Sequence, residues 1–244
     1  NIMPAQTFHA SPGQTAFHMT EFLQNLPASA YLLLAGSYLL GSIPFGLLIG
    51  KAHGVDIREQ GSGNIGATNL GRALGKRWAV AAFLLDFAKG ILPTLSIPCI
   101  FHDTQDADGL VVITILAGTA SILGHTFPLY LRFRGGKGVA TTLGVITGVA
   151  PPATLLAAII WGGVYLMTRT VSISSLATGA TLPLGIWATE LLYEQTNFSA
   201  RLVFSIAIAA LIFLRHRTNI ARILKGEELS FKKDTEAARD DSLS

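Results

Sequence analysis

Apolar runs long enough to cross a bilayer recur along this chain, and the charged residues are confined between them. A membrane-crossing helix needs roughly 20 predominantly apolar residues. Residues 28–49, 78–101, 110–131, 171–189 and 201–214 read as such segments. Residues 139–167 form a further run, interrupted by Pro151-Pro152, which is long for one helix and short for two. Composition agrees, since 14% of the residues are charged, against about a quarter in a soluble domain. The mean hydropathy is +0.48, and 25 glycines suit helices that approach one another closely.

Charge placement decides how the proline-broken run is read. Of the 18 basic residues, 16 fall in four places. Lys51, Arg58, Arg72, Lys76 and Arg77 share one loop. Arg132, Arg134 and Lys137 share another, Arg169 marks a third, and the other seven occupy the C-terminal region from Arg215. The alternate loops are acidic, with Asp103, Asp106 and Asp108 in one and Glu190 and Glu194 in the other. The positive-inside rule puts the basic loops in the cytoplasm, which requires residues 139–167 to go out and return at Pro151-Pro152, where proline would interrupt a helix. The expected fold is therefore an all-α integral membrane protein of about seven transmembrane helices, with the N-terminus outside and the C-terminus cytoplasmic.

Residues 1–27 contain no Lys or Arg and begin with Asn, so they lack the basic start of a secretory signal. They are expected to be an extension, partly disordered or a cloning remnant. Residues 28–231 would form the membrane domain and 232–244 a polar tail. A pI near 9.1 raises the question of nucleic acid, but a net charge of +3 gives that little support, and no nucleic-acid partner is expected. Cys99 is the only cysteine, which excludes an intramolecular disulfide framework. No His/Cys/carboxylate group has metal-ligand spacing, so neither metal nor cofactor is expected.

Three polar regions carry candidate chemistry. The first reads Gly61-Ser-Gly-Asn-Ile-Gly-Ala-Thr-Asn-Leu-Gly-Arg72. Its formal G-x-G-x-x-G is not a dinucleotide fingerprint, because Arg58-Glu59-Gln60 rather than a buried strand precedes it. Glycines can turn backbone N–H groups onto an anion, and a guanidinium forks onto phosphate. An ordinary glycine-rich turn explains the composition equally well. The second, Gly124-His-Thr-Phe-Pro-Leu-Tyr-Leu-Arg-Phe-Arg-Gly-Gly-Lys-Gly-Val-Ala-Thr141, is not a Walker A motif, since Gly138 stands where Ser or Thr should follow the lysine. Glycines around Lys137 at a helix entry still favour anion binding over a merely flexible basic loop. In the third, Arg215-His-Arg-Thr-Asn-Ile-Ala-Arg-Ile-Leu-Lys-Gly-Glu-Glu228, His216 and Asn219 would share a helix face; a basic helix resting on anionic headgroups is the simpler reading of that segment alone. Asp86 and Lys89, at i, i+3 within a span, read as a structural pair. His125 reads as a hydrogen-bonded histidine at a helix end.

Together these regions closely resemble the bacterial acyl-phosphate-dependent glycerol-3-phosphate acyltransferases, over roughly residues 31–231. The motifs that match are Ser-Gly-Asn-Ile-Gly-Ala-Thr-Asn with Arg72, Gly-His-x-Phe-Pro with Phe133-Arg-Gly-Gly-Lys-Gly-Val-Ala-Thr141, and Arg-His-Arg-x-Asn-Ile with Gly226-Glu-Glu228. The resemblance implies acyl transfer from acyl phosphate to sn-glycerol 3-phosphate at the bacterial cytoplasmic (inner) membrane, giving lysophosphatidic acid and phosphate. It implies catalytic roles for Ser62, Arg72, Lys137, His216 and Asn219. Substrate or phosphate contacts are implied for Asn64, Thr68, Asn69, Gly135, Gly136, Gly138 and Ser175, and a structural role for Glu227. The partners would be the two substrates and membrane lipids, with no obligate protein partner. None of the six histidines begins His-x-x-x-x-Asp, the motif of acyl-CoA-dependent glycerolipid acyltransferases. An organic-phosphate transporter is the main alternative, although its site would lie near the bilayer midplane, usually between inverted repeats.

Overall fold

The computed structural model describes residues 26–102, 107–193 and 198–229. The acidic loops around Asp106 and Glu194, most of the expected extension and all of the tail lie outside these residues. The described chain is helical: α1 (Ala28–Ser42), α2 (Phe45–Ala52), α3 (Ala67–Leu74), α4 (Lys76–Ile100), α5 (Ala107–Thr126), α6 (Val139–Val149), α7 (Pro151–Thr168), α8 (Val171–Tyr193), α9 (Phe198–Arg215) and α10 (Arg217–Leu224).

Among the described residues, five stretches are long and apolar enough to cross a membrane: Ala28–Ala52, Lys76–Ile100, Asp108–Leu131, Pro151–Thr168 and Val171–Leu192. The pair Ser199–Arg215 and Arg217–Leu224, bent by 59° at His216, makes a sixth if taken as one. Each of the seven expected segments is helical, but two fall short of a crossing alone. α6 has 11 residues, about 16 Å at 1.5 Å per residue, against roughly 30 Å of hydrocarbon. Pro151-Pro152 explains the division, because the prolines occupy the first turn of α7, where a missing N–H costs nothing.

Small residues set the close pairs. On α1 and α5, Gly41 lies against the carbonyl of Ser121 and Gly124 against that of Tyr38. On α4 and α6 the same reciprocal contact joins Gly90 to Thr141 and Gly144 to Phe87. With little hydrophobic drive between helices in lipid, such backbone approach is the main source of packing energy. α6 thereby sits inside the bundle, and its Val145, Ile146 and Val149 pack with Ile122, Leu182, Ile186, Phe204, Ile208 and Ile212. Leu155, Ile159, Leu184, Leu192 and Val203 remain exposed on the faces lipid would cover.

Pro44 separates α1 from α2. The break strips Ile43 of its intrahelical partner, and the Lys89 ammonium takes that carbonyl at 2.9 Å. A lysine inside an apolar bundle is thus bound to a helix break.

Candidate active site

The second polar region forms a loop folded back on the end of α5. Arg132 and Phe133 both adopt left-handed backbone, φ 51° and 63°. The chain then returns so that the N–H of Gly135 donates to Thr126 O (3.2 Å) and that of Gly136 to His125 O (3.1 Å). A methyl group on Gly135 would run into the His125 carbonyl, and one on Gly136 into His125 Nε2. Gly138, at φ 80°, caps α6, whose first N–H groups lack intrahelical acceptors. From the opposite side Arg215 donates to Gly135 O (2.8 Å) and Gly136 O (3.2 Å), with its guanidinium 5.5 Å from the Phe127 ring centroid. With their carbonyls held by Arg215, both residues are fixed in one orientation beside Lys137.

In the first region Asn69 is an internal brace. Its Nδ2 donates to Ile57 O (2.7 Å) and Gln60 O (3.0 Å). Its Oδ1 accepts from the N–H and hydroxyl of Ser62 at 2.9 and 3.1 Å. Asn64 closes a turn by accepting from Gly66 N–H (2.9 Å). Thr68 stands half-buried in the first turn of α3. Arg72 donates to Leu229 O (3.2 Å), joining this region to the C-terminal segment.

The third region is positioned by the bend after Arg215. The apolar run ends there, and the short basic α10 leaves the axis of α9, carrying Asn219 toward the loop. Lys137 Nζ donates to Asn219 Oδ1. Asn219 Nδ2 donates to Glu228 Oε1 (2.6 Å), which also accepts from Ser172 Oγ (2.7 Å), while Arg222 Nε holds Glu228 Oε2 at 3.0 Å. Burial alone would raise the Glu228 pKa, but the bonds from Ser172, Asn219 and Arg222 hold it below the usual range. Burial pushes the Lys137 ammonium down to about 8, with Arg222, Arg72 and Arg215 adding to the effect and Glu228 opposing it. Burial, then Lys137, push His216 down to about 4. His216 Nδ1 donates to Ile212 O (2.8 Å), so the neutral ring carries its lone pair on Nε2.

A cavity of about 160 Å³ opens where the three regions meet, lined by Ser62, Asn64, Lys137, Arg215, Arg217, Thr218 and Arg222. Four cations around hydroxyl and amide groups form a site for an anion. Of the expected residues, Ser62, Asn64 and Lys137 line it. Asn69 braces Ser62 and Asn219 braces Lys137, whereas Arg72 bonds instead to Leu229 O. His216 is buried and does not line the cavity, and Gly135, Gly136 and Gly138 shape the loop bearing Lys137. Ser175 stands apart: its hydroxyl donates to Val171 O (2.9 Å) and accepts from Trp161 Nε1 (3.3 Å). Ser172, one turn earlier, is the serine joined to the cluster. At the expected Glu227 the side chain is exposed and the backbone N–H is bonded to Arg222 O, whereas the neighbouring Glu228 is the carboxylate joined to Ser172, Asn219 and Arg222. Arg215, Arg217, Thr218, Arg222, Ser172 and Glu228 were not singled out from sequence. Four of them lie inside the basic stretch, where charge alone does not distinguish a site residue from a headgroup contact. Among the described residues, no group of three or more His, Cys, Asp or Glu side chains could hold a metal ion.

Known proteins with this pattern agree on what it belongs to. The family model described as glycerol-3-phosphate acyltransferase matches residues 31–226. The glycerol-3-phosphate acyltransferase of Aquifex aeolicus (strain VF5) is 42% identical over 203 residues, 83% of this chain and 99% of that protein. That of Anaeromyxobacter sp. (strain K) is 46% identical over 199 residues, 81% of this chain and 94% of its own. Among solved structures, the integral membrane glycerol 3-phosphate acyltransferase PlsY (YgiH), in its glycerol 3-phosphate form, superposes with a TM-score of 0.74 at 42% identity, covering 84% of this chain and 96% of that one. The lysophosphatidic acid form of PlsY gives a TM-score of 0.71. With the motifs on one cavity and this likeness along most of its length, the chain belongs to the glycerol-3-phosphate acyltransferase family.

Proposed function

We propose that this protein transfers a fatty acyl group from acyl phosphate to sn-glycerol 3-phosphate, releasing lysophosphatidic acid and inorganic phosphate, without a cofactor. The carrying observation is the cavity at which Lys137, Arg215, Arg217 and Arg222 converge with Ser62 and Asn64. Both substrates carry a phosphate, acyl phosphate on the reacting carbonyl carbon and glycerol 3-phosphate at the end opposite the hydroxyl that is acylated, so a cluster of cations suits both. The relatives carry the acyltransferase name, and the solved relative PlsY is described in a glycerol 3-phosphate form and in a lysophosphatidic acid form.

The glycerol hydroxyl oxygen bonds to the acyl carbon, and the bond from that carbon to the phosphate oxygen breaks. The donor already has a good leaving group, so positioning and charge stabilisation suffice and no covalent enzyme intermediate is needed. Lys137 and the N–H groups at the start of α6 suit the leaving phosphate. His216, with its lone pair on Nε2, suits acceptance of a hydrogen bond from the glycerol hydroxyl. A group titrating near 4 is a weak base at neutral pH, whereas the departing phosphate lies beside the reaction and takes the proton. A phosphate dianion in the cavity raises the pKa of His216 and so strengthens the hydrogen bond it accepts.

The active site would face the cytoplasm of a bacterial inner membrane, with seven crossings, α6 and α7 forming the out-and-return pair. The basic loops support this orientation. Transport is the weaker reading, because the cavity groups come from loops and helix ends rather than mid-span positions. Purified protein should convert acyl phosphate and glycerol 3-phosphate into equal amounts of lysophosphatidic acid and phosphate, and make nothing from acyl-CoA. Turnover with acyl-CoA free of acyl phosphate, or glycerol 3-phosphate uptake into vesicles without product, would overturn the proposal.

A further inference from the structure

Beneath the glycine loop lies a buried polar cluster that the chemistry above does not use. Asp86 and Lys89 on α4 and His125 on α5 are 3%, 2% and 6% exposed. Lys89 Nζ lies 2.8 Å from Asp86 Oδ1 and is tethered to the helix break at Ile43 O. Ser121 on α5 donates to Lys89 O at 2.6 Å. His125 Nδ1 faces Asp86 Oδ1 at 3.6 Å and has no hydrogen-bond partner of its own. The opposite ring nitrogen, Nε2, abuts Gly136, whose N–H is bonded to the His125 carbonyl. The His125 ring therefore fills the space between an intramembrane carboxylate and the floor of the loop.

A buried ion pair is a poor source of stability, and charge inside a bundle is costly enough that its usual justification is functional. This pair reaches the site through one ring. We infer that Asp86, Lys89 and His125 are positioning residues that hold the floor of the glycine loop, so that Lys137 and the first N–H groups of α6 stay aimed at the phosphate of the acyl donor. The inference rests on the reading that this loop receives the donor phosphate. Lys89 fixes Asp86, Asp86 orients the His125 ring, and the ring supports Gly136 from below while Arg215 holds its carbonyl from the other side.

Two substitutions at one position separate the two ends of the ring. His125→Asn keeps an amide near the Nδ1 position and vacates Nε2, whereas His125→Gln places an amide near Nε2 and gives up Nδ1. In steady-state assays, His125→Asn is expected to lower kcat/KM for acyl phosphate by at least about tenfold, since small misplacements of positioning groups carry costs of this order. KM for glycerol 3-phosphate should stay within about twofold, and His125→Gln should lose less. Asp86→Asn should resemble His125→Asn, and the double variant should be little worse than either, because both release the same ring. Variants that change only the melting temperature, or raise both KM values equally, would overturn the inference. Lys137→Ala is the reference. If it impairs use of acyl phosphate and the His125 variants do not, the inference alone fails; if it too is unaffected, the reading of the loop fails with it. Should Asp86→Asn not fold, the two His125 variants still decide.

Discussion

The ammonium of Lys137 is hydrogen-bonded to the side-chain oxygen of Asn219, 82 residues further along the chain. That bond joins the glycine loop to the bend between α9 and α10, and through Glu228 it continues to Ser172 at the start of α8. An ammonium has three donors, so Lys137 can keep Asn219 and still reach an anion.

Removal of this group should weaken the transition state more than the fold. Lys137→Ala is expected to lower kcat/KM for acyl phosphate by about 10²–10³-fold, on the order of 2–4 kcal/mol by analogy with loss of an oxyanion donor. Asn219→Ala should cost less, and the double variant should cost less than the sum of the two, because Asn219 acts partly through Lys137. Steady-state kinetics on the four proteins of that cycle provide the check, with strict additivity contradicting the coupling.

The depressed pKa of Lys137 sets an alkaline limit. The ammonium stabilises phosphate only when protonated, and it titrates at about 8 rather than 10.5, so kcat/KM should fall as pH rises through about 8. Bound donor phosphate favours the charged form, so the corresponding limb of kcat should lie higher. Lys137→Arg, which stays charged throughout, should move the limb of kcat/KM upward even at reduced activity. An unchanged alkaline limb in that variant would assign the ionisation elsewhere.

His216→Gln distinguishes a base from a holder of substrate. Glutamine retains a hydrogen-bonding side chain without basicity, so a proton transfer carried by the departing phosphate predicts appreciable kcat and chiefly a raised KM for glycerol 3-phosphate. The pH–kcat profile should keep its parental shape. Loss of several orders of magnitude in kcat, with KM and folding unchanged, would make His216 the base, since general bases contribute about 10²–10⁴-fold.

Seven crossings can be read by labelling. In a Cys99→Ser background, Asp106→Cys and Glu194→Cys should react with impermeant thiol reagents added outside intact cells. Glu59→Cys and Lys232→Cys should react only after the membrane is opened. Labelling of positions 59 and 106 from the same side would remove the proposed orientation.

What the sequence by itself determined was whatever depends on neighbours in the chain. Apolar runs of bilayer length, basic and acidic loops in alternation, the proline break at Pro151-Pro152 and glycines around Lys137 are local patterns, and the helices and the loop formed where those patterns stand. The three polar regions were legible as candidates for the same reason, because glycine, lysine and hydroxyl residues announce their chemistry through composition. Tertiary structure decided which members of each region meet. Glu228 rather than Glu227 holds Asn219, and Ser172 rather than Ser175 reaches that carboxylate, since only packing sets which of two near neighbours in the chain faces inward. Arg215 looked like one more cytoplasmic cation until the end of α9 was brought against the carbonyls of Gly135 and Gly136. Asp86 and Lys89 read correctly as a pair from their spacing, but that His125 stands between them and the loop depends on how α4 and α5 cross. Charge placement and Pro151-Pro152 marked α6 as one limb of an out-and-return pair, but that its 11 residues lie among other helices was decided by the reciprocal glycine contacts with α4, which draw it into the bundle.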